Sequence, residues 1–335
     1  MALRFGFVAW SALLACGLSS AMAMDDLALD PTVVAAPNYD AAPVSAPDHV
    51  WNVSAEALWL QRANGRPTVS SAGTAGSNIE ESFAGDAFEP GLRLEVRRIE
   101  EDGSAWELGY FGLNRWDQTS FVLGDPIGQS VLVSSPTLRL DDLIGGFDAG
   151  IVYNYTSRVH NAELNRWWVQ RQWGEWTISR MVGVRYFEFQ ERLIMGGADT
   201  IFGLEVFFGE TYNALLGGQV GFKAERHWDR LEAYGMGKLG LYGNNYQSGF
   251  IDGVLSPFGL PPLVFADNDG IGVAGLLEMR LGAKYLLTDH IALTTGYNLM
   301  YIPGLALQPS PHGLGGDHDG GLVLHGLSLG AEIAW

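Results

Sequence analysis

The sequence predicts an all-β chain: a single transmembrane antiparallel β-barrel of about ten strands, with short turns at one end and long loops at the other. Three observations lead there. Apolar and small or polar residues alternate through segment after segment of the chain, the period-two pattern of strands with one apolar face. The composition is 47% hydrophobic and only 17% charged, with mean hydropathy +0.07, yet beyond the first two dozen residues no apolar run reaches the ~18 residues of a membrane helix. Helices and closed barrels are the two structures that cross a bilayer, because each backbone polar group needs an internal partner there. The third observation is an N-terminal export pattern.

That pattern is MALRFGFVAWSALLACGLSSAMAMDD. Arg4 supplies a basic region, Phe5 to Leu18 an apolar core, and Ala21-Met22-Ala23 a small-x-small cleavage site, so residues 1–23 read as a secretory signal peptide. A helix of the mature protein would need a polar face that this stretch lacks. Leu13-Leu14-Ala15-Cys16 loosely resembles a lipoprotein box, which would leave Cys16 acylated. Cleavage after Ala23 instead removes the single cysteine, and with it any disulfide or cysteine-ligated metal. Residues 24–48, rich in Ala, Pro and Asp, read as an extended, disordered leader. The barrel is expected over 49–335.

The strands follow in order. WNVSAEALWL puts Trp51, Val53, Ala55, Ala57 and Trp59 on one face, and Asn52, Ser54 and Glu56 on the other. After a long loop (63–82), GLRLEVRRI alternates Leu92, Leu94 and Val96 with Arg93, Glu95 and Arg97. The turn EEDGS leads into AWELGYFGLNRW, where Trp106, Leu108, Tyr110 and Trp116 oppose Glu107 and Arg115. A second long loop runs to about Tyr153; within it SFVLGDPIGQSVLVSS has the look of another hairpin, which would make twelve strands. YNYTSRVHNAELNRWW continues the sheet with a blurred alternation that suggests a bulge. WTISRMVGVRYFEFQE and NALLGGQVGFKAE form the next pair, and the turn RHWD gives LEAYGMGKLGLYG. A loop to about Gly270 precedes IGVAGLLEMRLGAKY, the turn LLTDH gives IALTTGYNLMYI, and a last loop returns to HGLSLGAEIAW.

A soluble β-sandwich would also alternate. Two features favour the barrel. Aromatics gather at strand ends, with Trp51, Trp106, Trp176, Tyr285 and Trp335 toward the turns and Trp59, Trp116 and Tyr301 toward the loops, like the girdles at membrane interfaces. The opposite face carries charges of both signs at mid-strand, which a sandwich core would not bury. By analogy with bacterial outer-membrane barrels, the short turns are assigned to the periplasm and the long loops to the outside.

The segments GVRYFEFQE (183–191), NALLGGQVG (213–221), GYNLMYIPGLAL (296–307) and HGLSLGAEIAW (325–335), with AELN at 162–165, resemble motifs of the planctomycete beta-barrel porin-7 family. The resemblance is best from about Arg185 to Trp335, while residues 50–150 match only in general character. It implies an outer-membrane barrel and supplies no catalytic or binding residues. In such barrels a last strand ending in an aromatic is the address read by the barrel assembly machinery; Leu329, Ile333 and Trp335 lie on its outward face and are the expected signal. Outer-membrane lipid is then the other expected partner.

The charge balance, 20 Lys+Arg against 38 Asp+Glu (net −18), argues against nucleic acid as a partner. Candidate lumen residues are Glu56, Arg93, Glu95, Glu107, Arg115, Arg185, Lys223, Glu232, Lys238, Glu278, Arg280 and Lys284, with Arg97, Glu163, Glu225 and Glu332 in the same row. Eight-stranded barrels are filled by side chains and sixteen-stranded ones conduct, so a plug of neutralising ion pairs and a conducting lumen are both open. The loops are acidic, including Glu80, Glu81, Asp86, Asp125, Asp141, Asp142, Asp148, Asp199, Asp252, Asp267, Asp269, Asp317 and Asp319. They form either an outer vestibule favouring cations or a plain solvated face. His312, Asp317, His318 and Asp319 could bind a metal, and Asp267-Asn268-Asp269-Gly270 resembles part of a calcium loop without its closing Glu; ordinary turns would carry the same residues. No phosphate-binding loop or nucleophile elbow occurs. The expectation is porin-like passage of small solutes with a weak cation preference, no cofactor or metal, and no enzymatic activity. The alternative is a non-conducting structural barrel working through its loops.

Overall fold

The computed structural model describes residues 50–63, 68–73, 78–82, 87–123, 129–130, 150–199, 203–255, 264–307 and 320–335. The signal peptide, the leader, Cys16, and the His312, Asp317, His318 and Asp319 cluster lie outside them. In chain order the strands are β1 (Trp51–Arg62), β2 (Thr68–Gly73), β3 (Asn78–Ser82), β4 (Glu89–Ile99), β5 (Ala105–Leu123), β6 (Gln129–Ser130), β7 (Gly150–Trp173), β8 (Trp176–Asp199), β9 (Gly203–Trp228), β10 (Leu231–Leu255), β11 (Val264–Leu286), β12 (Ile291–Leu305) and β13 (Gly320–Ala334). Ten of them close an antiparallel barrel in the order β1-β13-β12-β11-β10-β9-β8-β7-β5-β4, while β3-β2-β6 form a small separate sheet. The segment expected to add a hairpin to the barrel does not: Ser120 to Leu123 continue β5, and Gln129 and Ser130 pair with Gly73 and Ala72 of β2. The barrel has ten strands, not twelve.

Closure is made where the sequence alternates most cleanly. β13 pairs with β1 from Ala334↔Asn52 to Leu324↔Arg62. Trp335 locks the seam, its carbonyl accepting from the Val50 and Trp51 amides at 2.9 Å and its own amide donating to Trp51 O at 2.9 Å. The wall is inside out relative to a soluble protein. Leu241 and Leu281 are 68% and 61% exposed, whereas Arg185 and Lys238 are 1% and 2%. An apolar outer belt around a closed hydrogen-bonded wall is the surface that lipid solvates at low cost.

Several expected loops are strand instead. β7 to β11 run for 23 to 26 residues, well beyond the ~9–11 that cross a bilayer, so these strands rise past the apolar belt as hairpins. Asp267-Asn268-Asp269-Gly270 sits in this ladder, facing Gly249, Ser248, Gln247 and Tyr246 of β10, and is not a calcium loop. Asp252 also lies on a strand. The expected bulge in β7 falls just past its predicted segment, between Val169 and Arg171.

Candidate functional site

The bore has two layers. At its short-turn half the inward positions carry the charges. Glu163 sits at the centre, taking Arg185 at 2.8 Å, Lys238 at 2.7 Å and the Gln219 amide at 2.6 Å. Arg185 also reaches Glu278 at 2.5 Å. Gln219 donates on to Asn165 at 2.8 Å, and Asn165 to Glu107 at 3.0 Å, whose other oxygen meets Arg97 at 2.5 Å. A second knot joins Arg280 to Glu95 at 3.0 Å and to Glu56, with Arg93 near Glu56 at 3.4 Å and on Asn298 at 2.7 Å. Every ion of these knots thus has an opposite charge at hand, and Glu163, Arg185, Glu56 and Arg280 have two or more partners, the condition under which burial of charge is tolerated. Nearer the turns, Lys284 pairs with Glu332 at 2.8 Å and faces Glu232 at 3.7 Å, and Lys223 pairs with Glu225. Here the bore opens into a small funnel, lined among others by Asn52, Arg97, Lys223, Tyr234, Lys284 and Glu332.

The loop half is apolar. Leu58, Leu60, Phe111, Trp116, Val159, Phe187, Phe189, Leu215, Leu276, Met300, Ile302, Leu322 and Leu324 pack into one cluster inside the barrel. Above it Arg62 and Glu191 pair at 2.6 Å, fully buried, with Tyr155 donating to Glu191 at 2.5 Å. After Pro303 the chain turns inward at Gly304, whose φ of +84° suits glycine, and where a Cβ would lie 2.4 Å from Val273 O. Leu305 and Ala306 are buried as a result. The Asn213 side chain of β9 then mimics a backbone partner: its amide donates to Ala306 O at 2.7 Å, and its oxygen accepts from Ala306 N at 2.8 Å. Asn244 of β10 donates to Gly304 O at 3.0 Å. β9 and β12 are separated around the wall by β10 and β11, so residues 304–306 form a chord over the bore, tied to β13 where Leu305 still pairs with Gly320 and to β9 at Ala306.

Eleven of the twelve predicted lumen residues face inward, as do Arg97, Glu163, Glu225 and Glu332. Arg115 is the exception. It points outward, its side chain 64% exposed and bonded to Asp117 at 2.9 Å. The cause is a bulge: pairing of β5 with β7 shifts between Gly112 and Arg115, and Leu113 takes φ +68°. One extra residue exchanges the faces beyond it, so Trp116 enters the core at 2% exposure and is not part of the loop-side girdle. Asn114 exploits the bulge, donating to Leu58 O at 3.1 Å and Glu89 O at 2.7 Å across the space that Gly91 leaves free. The Arg62–Glu191 pair was missed, because the predicted first strand stops at Leu60. Arg62 lies two residues on, in phase with Glu56, Leu58 and Leu60, which was a readable signal.

Leu329, Ile333 and Trp335 are outward and 49–56% exposed. Among the described residues no group of three or more His, Cys, Asp and Glu could hold a metal ion.

No family model matches the chain, and no curated relative does. Among solved structures it is similar to the outer membrane protease OmpT from Escherichia coli, at 9% identity and TM-score 0.45 over 86% of this chain and 97% of that one. It is also similar to a mutant of the monoaromatic hydrocarbon channel TodX, at 11% identity and TM-score 0.34 over 86% and 67%. A third is the transport unit of the autotransporter AIDA-I from Escherichia coli, at 9% identity and TM-score 0.27 over 90% and 94%.

Proposed function

We propose that the chain is an outer-membrane barrel whose bore is closed, so that it acts as a structural or surface-presenting barrel through the tall β7–β11 wall. The observation that carries this reading is the double seal. A neutralised ion network fills one half of the bore, and an apolar core with the 304–306 chord fills the other. An ion crossing the second layer would meet Leu, Phe and Ile side chains that cannot replace its hydration shell, a barrier of the kind that hydrophobic constrictions use. On this reading the short turns face the periplasm, the β13 face carrying Leu329, Ile333 and Trp335 is the assembly signal, and the barrel is not an enzyme. The resemblance to the porin-7 family supports the location.

A second reading, passive passage of small solutes with weak cation preference, is favoured by the funnel at the short-turn end. Planar-bilayer recording of the purified full chain separates the two. The closed barrel gives no steady unitary current at moderate voltage, whereas an ohmic current with a cation-selective reversal potential in a salt gradient would establish the porin reading.

A further inference from the structure

Tryptophan and arginine alternate along the outer wall near the short turns. Cross-strand partners run from Trp51 on β1 to Arg98 on β4, from Arg98 to Trp106 on β5, and from Trp106 to Arg166 on β7. Four neighbouring strands therefore carry one Trp–Arg–Trp–Arg row in the hydrogen-bonding direction. The Arg98 guanidinium lies 5.8 Å from the Trp51 ring, and that of Arg166 lies 5.0 Å from Trp106. The motif recurs on the next two strands, where Trp176 of β8 faces Arg226 of β9, whose guanidinium is 4.8 Å from Trp228. Arg180 is exposed on β8 beside them.

These arginines are treated differently from those in the bore. Arg62, Arg93, Arg97, Arg185 and Arg280 each have a carboxylate oxygen within 3.4 Å. On the outer wall Arg226 pairs with Glu175, but among the described residues Arg98 has only Glu100 at 3.9 Å on an exposed edge, and Arg166 reaches a carboxylate only through the Ser104 hydroxyl, which in turn donates to Asp102. The opposite side of the barrel has no such row. Every Lys and Arg on β10 to β13 (Lys238, Arg280 and Lys284) faces the bore, while Leu231, Tyr285, Ile291, Leu293 and Ile333 face out.

We propose that the Arg98–Arg166–Arg180 strip binds the phosphates of anionic phospholipid in the leaflet at the short-turn end. Ring contacts hold the Arg98 and Arg166 guanidinium groups at the interface and occupy their faces, so that in-plane donors remain for a phosphate beyond the one Arg166 gives to Ser104; Arg180 adds an exposed charge beside them. A planar fork matches two phosphate oxygens better than it matches water. The tryptophans sit where headgroup meets hydrocarbon, and the acyl chains of the same lipid lie on the apolar wall of Leu108, Leu164, Val182 and Val184 above them. The barrel thus holds anionic lipid on one side and generic lipid on the other.

The test is native mass spectrometry of the full chain in detergent, titrated with phosphatidylglycerol or with phosphatidylcholine of the same acyl chains. Wild type should retain phosphatidylglycerol preferentially. Each neutralised arginine should weaken that binding by about fivefold, the effect of one cation near an anionic surface. R98Q/R166Q/R180Q should abolish the preference, with folding checked by heat-dependent gel mobility. R115Q/R158Q, at outward positions toward the loops, should leave it intact. If the triple variant does not fold, the single variants R98K and R166K serve, since they keep charge but lose the fork and should each weaken retention. Equal retention of both lipids by wild type, or an unchanged preference in the folded arginine variants, overturns the proposal.

Discussion

In the short-turn half of the bore, Glu163, Arg185, Lys238 and Glu278 are held by one another, and the space beside them opens as a funnel. In the loop half, Leu58, Phe187, Leu215 and Ile302 pack as the core of a soluble protein would, with the 304–306 chord laid across them. Both halves are closed, but for different reasons. The charged half depends on matching: its ions are tolerable only while each has partners, and removing one leaves the others stranded in a place that desolvates them. The apolar half depends on volume, and loses stability in proportion to the space that a truncation leaves. Truncations in the two halves should therefore fail in different ways.

The largest effect is expected from Arg185→Ala. It leaves both Glu163 and Glu278 short of a cation, and the cost should be ~3–5 kcal/mol. In denaturant unfolding from lipid vesicles the midpoint should fall accordingly. Arg185→Met, which restores volume but not charge, should rescue little. Rescue by Met would mean that packing governs this half as well, and the contrast between the halves would disappear.

Leu58→Ala tests the other half. Leu58 is fully buried among apolar side chains, so truncation should cost ~2–5 kcal/mol. Leu58→Met, which conserves volume, should cost less than ~1.5 kcal/mol. Met thus restores most of the loss at Leu58 and little of it at Arg185, and the same unfolding assay reads both.

The two halves also differed in how much of them could be read from the sequence. The charged half was legible because lipid outside and water inside impose opposite demands on alternate residues, so Glu278, Arg280 and Lys284 fall in one phase against Leu277, Met279 and Leu281. The apolar half was not. Where the bore is itself apolar both faces want the same residues, and Leu299-Met300-Tyr301-Ile302 shows no alternation to say which two point inward. The tall β7–β11 extensions were read as loops for the complementary reason: beyond the lipid, polar residues such as Asp267, Asn268 and Asp269 occupy both faces of the strand. Arg115 was misplaced by a single inserted residue, and Leu113, an unusual residue for positive φ, gave no warning of it. The chord was hidden because a side chain makes it. Nothing local to Asn213 indicates that it will bond a peptide unit on a strand three places away.

That chord is where the comparison can be sharpened furthest. Asn213→Ala removes both hydrogen bonds to Ala306 and leaves its buried N–H and C=O without those partners, a loss of ~1–3 kcal/mol, the smallest of the three. Its effect on the bore should be larger than its effect on stability. Freed of the Asn213 clamp, Ala306 can leave the bore while Asn244 still holds Gly304 and Gly320 still pairs with Leu305, so the apolar half loosens at its lid while its wall stays packed. Brief, voltage-dependent current steps should then appear in bilayers where wild type is silent. Asn213→Asp keeps the acceptor for Ala306 N but not the donor to Ala306 O, and should give intermediate behaviour. If both variants lower the unfolding midpoint yet remain silent, the chord is a support and Leu58, Phe187 and Leu215 alone make the seal. Combining Asn213→Ala with Leu58→Ala would then conduct where neither single change does, and the charged half, left intact in that double variant, would set the ion preference of whatever passes.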